Sequence, residues 1–314
     1  MHRQRDFLLA LALPLVLPIA MSRAWAQDLP LAAGSATQKG APITDFSGAW
    51  TKPYIGIESP ASGPGPVTNR SRRNGRRDVY QYVGDYNNPI LKPEAADIVK
   101  KYGEISLTGV PYPSPRNQCW PEGVPGIFAD PAMQLLQQPD KITILYPYDH
   151  QIRRVRMNEP HAALVTPSWY GDSVGHHEGE TLVIDTIGIK IGPFAMLDFY
   201  GTPYTGALHV IERYRLIDDS AIREGQERGL RENSFLPDGV DGDSGMVADP
   251  QYKGKGLQLE FTVEDGGVFT TTWSATVTYR RALGTILENV CAENLHATYV
   301  TKDSAVPRAD KPDF

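Results

Sequence analysis

From Lys141 onward the chain repeats one pattern: segments of strand length with apolar residues at alternate positions, separated by short turns. Lys141-Ile142-Thr143-Ile144-Leu145-Tyr146 and Ile152-Arg153-Arg154-Val155-Arg156-Met157 flank an Asp149-His150 turn and read as a hairpin. Thr181 to Gly188, Leu208 to Ile217, Leu257 to Glu264 and Val268 to Arg281 continue the series, with Glu264-Asp265-Gly266-Gly267 as a turn signal. Thr285 to Val290 and Thr298 to Thr301 close it. Successive strand side chains point to opposite sides, so each segment has one face to bury. Roughly seven or eight such strands with short connections predict a mainly β protein, an antiparallel up-and-down barrel, because closure removes the unpaired edges an open sheet would leave. A β-sandwich satisfies the same pattern and is the alternative.

The first half reads differently. Residues 53 to 90 are rich in Pro, Gly and Arg and predict a long irregular excursion. The basic run from Arg70 to Arg77 falls inside it and reads as a solvated loop, with contact to an anionic ligand or lipid headgroup as the alternative. Pro93 to Tyr102 has proline in a first turn and apolar residues at helical spacing, which predicts one short helix. Pro111 to Pro139 is again proline-dense and surrounds Cys119; so much irregular chain is expected to wrap the outside of the barrel.

The N-terminus speaks to location. His2, Arg3 and Arg5 precede an apolar run from Phe7 to Met21, and Ala24-Trp25-Ala26 offers small residues where a signal peptidase cuts, so residues 1–26 read as a signal peptide cleaved before Gln27. The run is short for a bilayer and contains Pro14 and Pro18, so no membrane span is expected in the mature chain. Residues 27–44 read as a flexible leader, 45–304 as a single barrel domain and 305–314 as a tail. The expected location is the periplasm or the outside of the cell. There the only two cysteines, Cys119 and Cys291, are expected to pair, closing a loop of about 170 residues and restricting the unfolded chain by roughly 5 kcal/mol. A lone nucleophilic thiol is the rival reading. The formal charge of −6 gives no footprint for nucleic acid.

Several short motifs carry a resemblance. Gly48-Ala49-Trp50, within Asp45 to Trp50, resembles the opening of lipocalin-like barrels, where a Gly-x-Trp element starts the first strand and its tryptophan plugs one end. Taken in order with Cys119-Trp120-Pro121-Glu122-Gly123-Val124-Pro125, Gly171-Asp172-Ser173-Val174-Gly175, the run Glu178 to Thr186, Leu208 to Tyr214 and Cys291-Ala292-Glu293-Asn294, it resembles a large family of exported bacterial proteins, mostly without an assigned function. The match runs from about residue 45 to 296. Members of that family carry tryptophan in place of His177 and a histidine-serine pair in place of Tyr204-Thr205, which implies a shared scaffold with an altered pocket.

His176 and His177 precede a polar Glu178-Gly179-Glu180 stretch and read as a hairpin turn; adjacent residues on extended chain face opposite ways, so the pair is not expected to bind one metal. Asp185 interrupts an apolar strand. Between Leu208 and Arg215, His209, Ile211, Arg213 and Arg215 share one face, while Leu208, Val210, Glu212 and Tyr214 share the other, and either face could line a cavity. Upstream, Phe194 to Tyr204 is an aromatic and apolar loop containing one carboxylate, Asp198, able to orient His209 or act as a base. The expected catalytic set is therefore His209, Asp198 and Glu212, with Arg213, Tyr204, Tyr214, Trp169 and Asp185 as substrate-binding residues. A glycine-rich phosphate loop, a Gly-x-Ser-x-Gly elbow, a His-Glu-x-x-His helix and a Cys-x-x-Cys pair are all missing from the sequence, so no cofactor or metal is expected. What remains is cofactor-independent lyase, dehydratase, hydratase or isomerase chemistry by acids and bases in an apolar barrel cavity, on an aromatic, terpenoid or steroid-like molecule, or a non-catalytic periplasmic carrier of such ligands.

Overall fold

The computed structural model describes residues 43–73, 76–77, 81–110, 112–235, 245–287 and 289–292. The proposed signal peptide and nearly all of the leader, the segment Thr298 to Thr301 and the tail lie outside them. In chain order the elements are β1 (Gly48–Thr51), β2 (Tyr54–Ile55), β3 (Arg72–Arg73), β4 (Arg76–Arg77), α1 (Pro93–Leu107), β5 (Ala132–Gln137), β6 (Lys141–Tyr146), β7 (Gln151–Met157), β8 (Asp172–Glu178) and β9 (Thr181–Ile187). They continue with β10 (His209–Ile217), α2 (Asp219–Glu232), β11 (Ser234–Phe235), β12 (Val247–Ala248), β13 (Gly256–Glu264) and β14 (Trp273–Leu283).

Nine strands close into a barrel in the order β1-β5-β6-β7-β8-β9-β10-β13-β14, and β14 returns to β1 through Trp50↔Arg281 and Thr51↔Arg280. The mainly β barrel and the expected hairpins are present. The expected purely antiparallel path is not: β7 and β8 run parallel, with Arg156 opposite Val174 and Met157 opposite Gly175. A parallel neighbour cannot be reached by a tight turn, so residues 158–171 carry the chain back along the barrel to start β8.

At the start of β1 the backbone of Gly48 has φ +137, and a Cβ there would lie 1.9 Å from Arg281 Nη1. Glycine is needed both for the conformation and for the space. Arg281 Nη1 donates to Ser47 O at 2.7 Å and its guanidinium lies 5.0 Å over the Trp50 ring, while Trp50 Nε1 donates to Phe46 O at 3.0 Å. The barrel interior is filled by large side chains that include Trp50, Tyr146, Tyr214, Tyr279, Phe261 and Met133, all 2 % exposed or less. Each buried apolar chain of this size contributes about 1.5–3 kcal/mol against exposure.

α1 starts at the expected proline and runs past Tyr102 to Leu107, burying Ala95, Val99, Gly103 and Ser106. α2 is a second helix where one was expected. Its buried stripe is Ile222, Gly225, Gln226 and Gly229, at helical spacing but almost without large apolar residues, so it leaves no hydrophobic period to read. Its glycines permit close approach: a Cβ at 225 would meet Thr278 Oγ1 at 2.3 Å, and one at 229 would meet the Tyr54 ring at 2.3 Å. His176 and His177 belong to β8 and not to a turn; the turn is Gly179-Glu180, with Gly179 at φ +61. As expected, the two rings part: His176 Nε2 lies 3.1 Å from Glu178, while His177 stacks on Phe46 at 6.3 Å.

Cys119 and Cys291 are bonded, with Cα atoms 5.4 Å apart across 172 residues. The bridge ties the proline-dense wrap to the chain beyond β14; the expected strand at Thr285 to Val290 is not formed among the described residues there.

Candidate functional site

The expected catalytic residues lie in three different settings. Glu212 and Tyr214 face the interior, together with Leu208 and Val210. Glu212 accepts from Arg153 Nη1 at 2.8 Å and Nη2 at 2.6 Å, and from the Tyr214 hydroxyl at 2.9 Å. Arg153 Nη2 also donates to Thr186 Oγ1 at 2.7 Å and Ser173 Oγ at 3.0 Å. Arg153 and Glu212 have no exposed surface. Burial alone would make the guanidinium give up its proton more readily, but Glu212 outweighs it and holds Arg153 above its usual range. Burial, and next the Glu212 charge, push the Tyr214 hydroxyl far above its usual value. This network is paired and dry, and Glu212 has no opening to a ligand there.

His209 lies on the opposite, outer side of β10. Its Nε2 is 2.8 Å from Asp185 Oδ1 and its Nδ1 is 3.3 Å from Glu264 Oε2 on the neighbouring β13. The crossover places His161 against the same carboxylate: His161 Nε2 is 3.3 Å from Asp185 Oδ1, and its Nδ1 is 3.1 Å from Asp172 Oδ2. Asp172 also accepts from Ala162 N at 2.9 Å and from Arg156 Nη2 at 2.8 Å, and Arg156 Nη1 reaches Glu159 at 2.7 Å. Burial acts to raise the Asp172 carboxyl, but these donors together hold it below its usual range. Arg213 shares this outer side without joining the array; its Nη1 is sheltered and has no hydrogen-bond partner.

Asp198 occupies the third setting. The aromatic loop folds over it: Tyr200 N at 2.8 Å and Thr202 N at 3.2 Å donate to Oδ1, and Thr202 Oγ1 donates to Oδ2 at 2.6 Å. Burial pushes its pKa up to about 6, against the partial opposition of those three bonds. Asp198 lines two adjoining recesses open to solvent. One has Arg116, Glu122, Met196 and Phe199 in its walls and the other Ile57, Val67, Leu197 and Tyr200; each encloses about 20 Å³, room for roughly one water molecule. Arg116 is held by Glu122 at 3.0 Å and by Asp130, and stacks 4.3 Å over the Tyr148 ring.

Asp198 and His209 therefore do not meet: Asp198 is bonded within its own loop and His209 to Asp185 and Glu264. Ten residues of intervening chain give no measure of that separation, whereas the Asp185–His209 contact follows from neighbouring strands: Asp185 lies opposite Ile211, and so diagonal to His209 on the same outer side. Tyr204 is 9 % exposed and donates to Lys190 O at 2.8 Å, with burial pushing its hydroxyl up to about 12. Trp169 packs edge-on to Trp120 at 5.2 Å, in a cluster with Phe194. His161, Asp172, Glu264, Arg153, Arg116 and Glu122 are the participants that residue patterns did not single out. Asp172 and Glu122 lie in the motifs that carry the resemblance and Glu264 in a turn signal, none of which assigns them a site role; His161 and Arg116 lie between strands, and Arg153 faces the interior.

These features define a closed mixed barrel with a filled interior, carrying titratable groups at two places on its outside. No family model, curated protein or solved structure matches the chain.

Proposed function

We propose that this is an exported protein performing acid–base chemistry of the lyase, dehydratase, hydratase or isomerase kind on a small hydrophobic molecule held beside Asp198. The observation that carries this reading is a carboxyl group with a pKa of about 6 lining recesses whose walls are largely apolar. A group that titrates near neutrality can both take and return a proton at ordinary pH. Met196, Phe199, Val67 and Ile57 give apolar walls against which an edge of an aromatic, terpenoid or steroid-like body would lie, and Arg116, paired with Glu122 and Asp130, forms the polar side of the rim. Such reactions need only positioned acids and bases, so the reading requires no cofactor.

Export is supported by the disulfide, which persists in oxidising compartments, and by the signal-like N-terminal residues. Among the described residues no helix is long and apolar enough to cross a membrane. Membership of the exported bacterial family is part of the same proposal and rests on the motifs quoted above.

The test is a turnover screen of the mature protein on hydrophobic alcohols, ketones and alkenes, beside an Asp198→Asn variant. Loss of roughly 10²–10⁴-fold in turnover with an unchanged circular dichroism spectrum is expected. A carrier is the second reading, favoured by the fact that both Asp198 oxygens already accept bonds from their own loop. Equal ligand binding by both proteins with turnover by neither would decide for the carrier.

A further inference from the structure

The two oxygens of Asp198 are not equivalent. An ionised carboxylate offers about four lone-pair sites, two on each oxygen. Tyr200 N at 2.8 Å and Thr202 N at 3.2 Å donate to Oδ1 and occupy both of its sites, while Oδ2 has one donor, Thr202 Oγ1 at 2.6 Å. The remaining site is therefore on Oδ2. A backbone N–H can only donate, so a proton placed on Oδ1 would face a proton already there. A hydroxyl both donates and accepts, and Thr202 can keep its bond to Oδ2 in either protonation state.

The loop holds this asymmetry in place. Gly201, at φ +79, turns the chain tightly against Tyr102, where a Cβ would lie 2.4 Å from the ring. Leu197 N donates to Thr202 O at 2.9 Å, and the Tyr112 hydroxyl donates to Phe199 O. Thr202 is 1 % exposed, and the walls of the two recesses include Asp198 and Phe199 but not Thr202. Its hydroxyl meets the carboxylate and not a ligand. We infer, resting on the reading of Asp198 as the acid–base group of the recesses, that Asp198 takes and gives its proton at Oδ2 alone and that Thr202 is a positioning residue, aiming this oxygen and stabilising the ionised form.

One oxygen performs both halves of the exchange. A proton removed from a ligand passes to Oδ2, the negative charge passes from the carboxylate to the ligand, and return of the proton restores both. Burial disfavours the charge on Asp198, and the Thr202 hydroxyl is the largest of the donors acting against it. The neighbouring groups do not compete for the role. Burial, and next the Asp198 charge, keep the Tyr112 hydroxyl well above its usual value, with Tyr82, Tyr102 and Tyr200 around it. Arg116 and Glu122, in the wall of one recess, bind each other through Arg116 Nε at 3.0 Å and Nη2 at 3.2 Å.

The test follows the Asp198 carboxyl directly, by ¹³C NMR of aspartate-labelled mature protein, its resonance assigned from its loss in Asp198→Asn. Thr202→Val removes the hydroxyl at nearly constant shape and should raise the titration midpoint by about one pH unit, the worth of a hydrogen bond to a charged group. Thr202→Ser keeps the hydroxyl and should titrate as the unchanged protein does; Thr202→Ala stands in should the valine variant fold poorly. In the infrared spectrum at low pH the Asp198 carbonyl, being Oδ1, should absorb at the lowered frequency of an oxygen accepting two bonds, with or without the Thr202 hydroxyl. On a substrate that turns over, the acidic limb of the kcat/KM profile should move to higher pH by the same interval in Thr202→Val and return in Thr202→Ser. The proposal is overturned if the valine and alanine variants titrate normally, if the serine variant titrates as the valine one does, or if the carbonyl frequency rises on loss of the hydroxyl. Absence of turnover with the titration shifts present would remove the activity proposed for the recesses and leave the proton assigned to Oδ2.

Discussion

The same four strands build two charged networks, one on each side of the barrel wall. β7 supplies Arg153 inward and Arg156 outward; β8 supplies Ser173 and Asp172, β9 Thr186 and Asp185, and β10 Glu212 and His209. The inner network is without solvent, and the guanidinium and carboxylate satisfy each other in a two-bond pair. The outer one is partly wet and oversupplied with acceptors. The comparison teaches that residue type alone does not decide whether a charge is buried and matched or left partly wet. What decides is whether the partners balance and whether solvent reaches them.

The inner network should be the more costly to break. Glu212→Ala or Arg153→Ala leaves one charge buried without its partner and should lose about 3–5 kcal/mol in urea unfolding. Replacing both by Met and Leu should restore most of that, and a double variant as unstable as the singles would contradict a simple desolvation account. Cys291→Ser gives a covalent yardstick for the same scale. It should lose about 2–5 kcal/mol, read against wild type under non-reducing conditions.

Asp198 is intermediate, since its penalty is set by burial and depends on pH. Its folded pKa of about 6 lies above the reference 3.8, so the folded state keeps the proton where the unfolded state has lost it. Stability from this group is greatest below about pH 4, falls as pH rises toward about 6 and is level beyond, by at most about 3 kcal/mol. Subtracting the pH profile of Asp198→Asn from that of the unchanged protein should reveal this decline, and a flat difference would place the carboxyl in water. The outer array should matter least to folding. His209→Ala should shift stability by less than about 1 kcal/mol, as exposed ion pairs do. A larger loss would make the array structural.

Much of the architecture was legible because it rests on local patterns: alternation gave the strands, Glu264 to Gly267 gave a turn, and Pro93 gave the start of α1. What failed depended on information that local patterns do not hold. Alternation in β7 puts Arg153 on one side with Val155 and Met157 and leaves Ile152, 48 % exposed, with Arg154 and Arg156, but it says nothing of Glu212, far along the chain, whose carboxylate makes burial of the arginine favourable. Strand alternation is blind to direction, so the parallel β7–β8 pair left no trace. For the site, His209 and Asp185 were both singled out from their strands, but His161 arrives on a loop with no period. Its role appears only once the crossover is laid along the wall.

β1 is four residues long, yet it alone joins β5 to β14 and brings Trp50 opposite Arg281. The first and last strands of the barrel must therefore find each other before the cylinder is sealed, a step that waits for synthesis of the chain as far as β14 and belongs to slow, high-contact-order folding. Trimming back beyond Trp50 would leave two raw strand margins, and a neighbouring copy would be the nearest thing able to cover them.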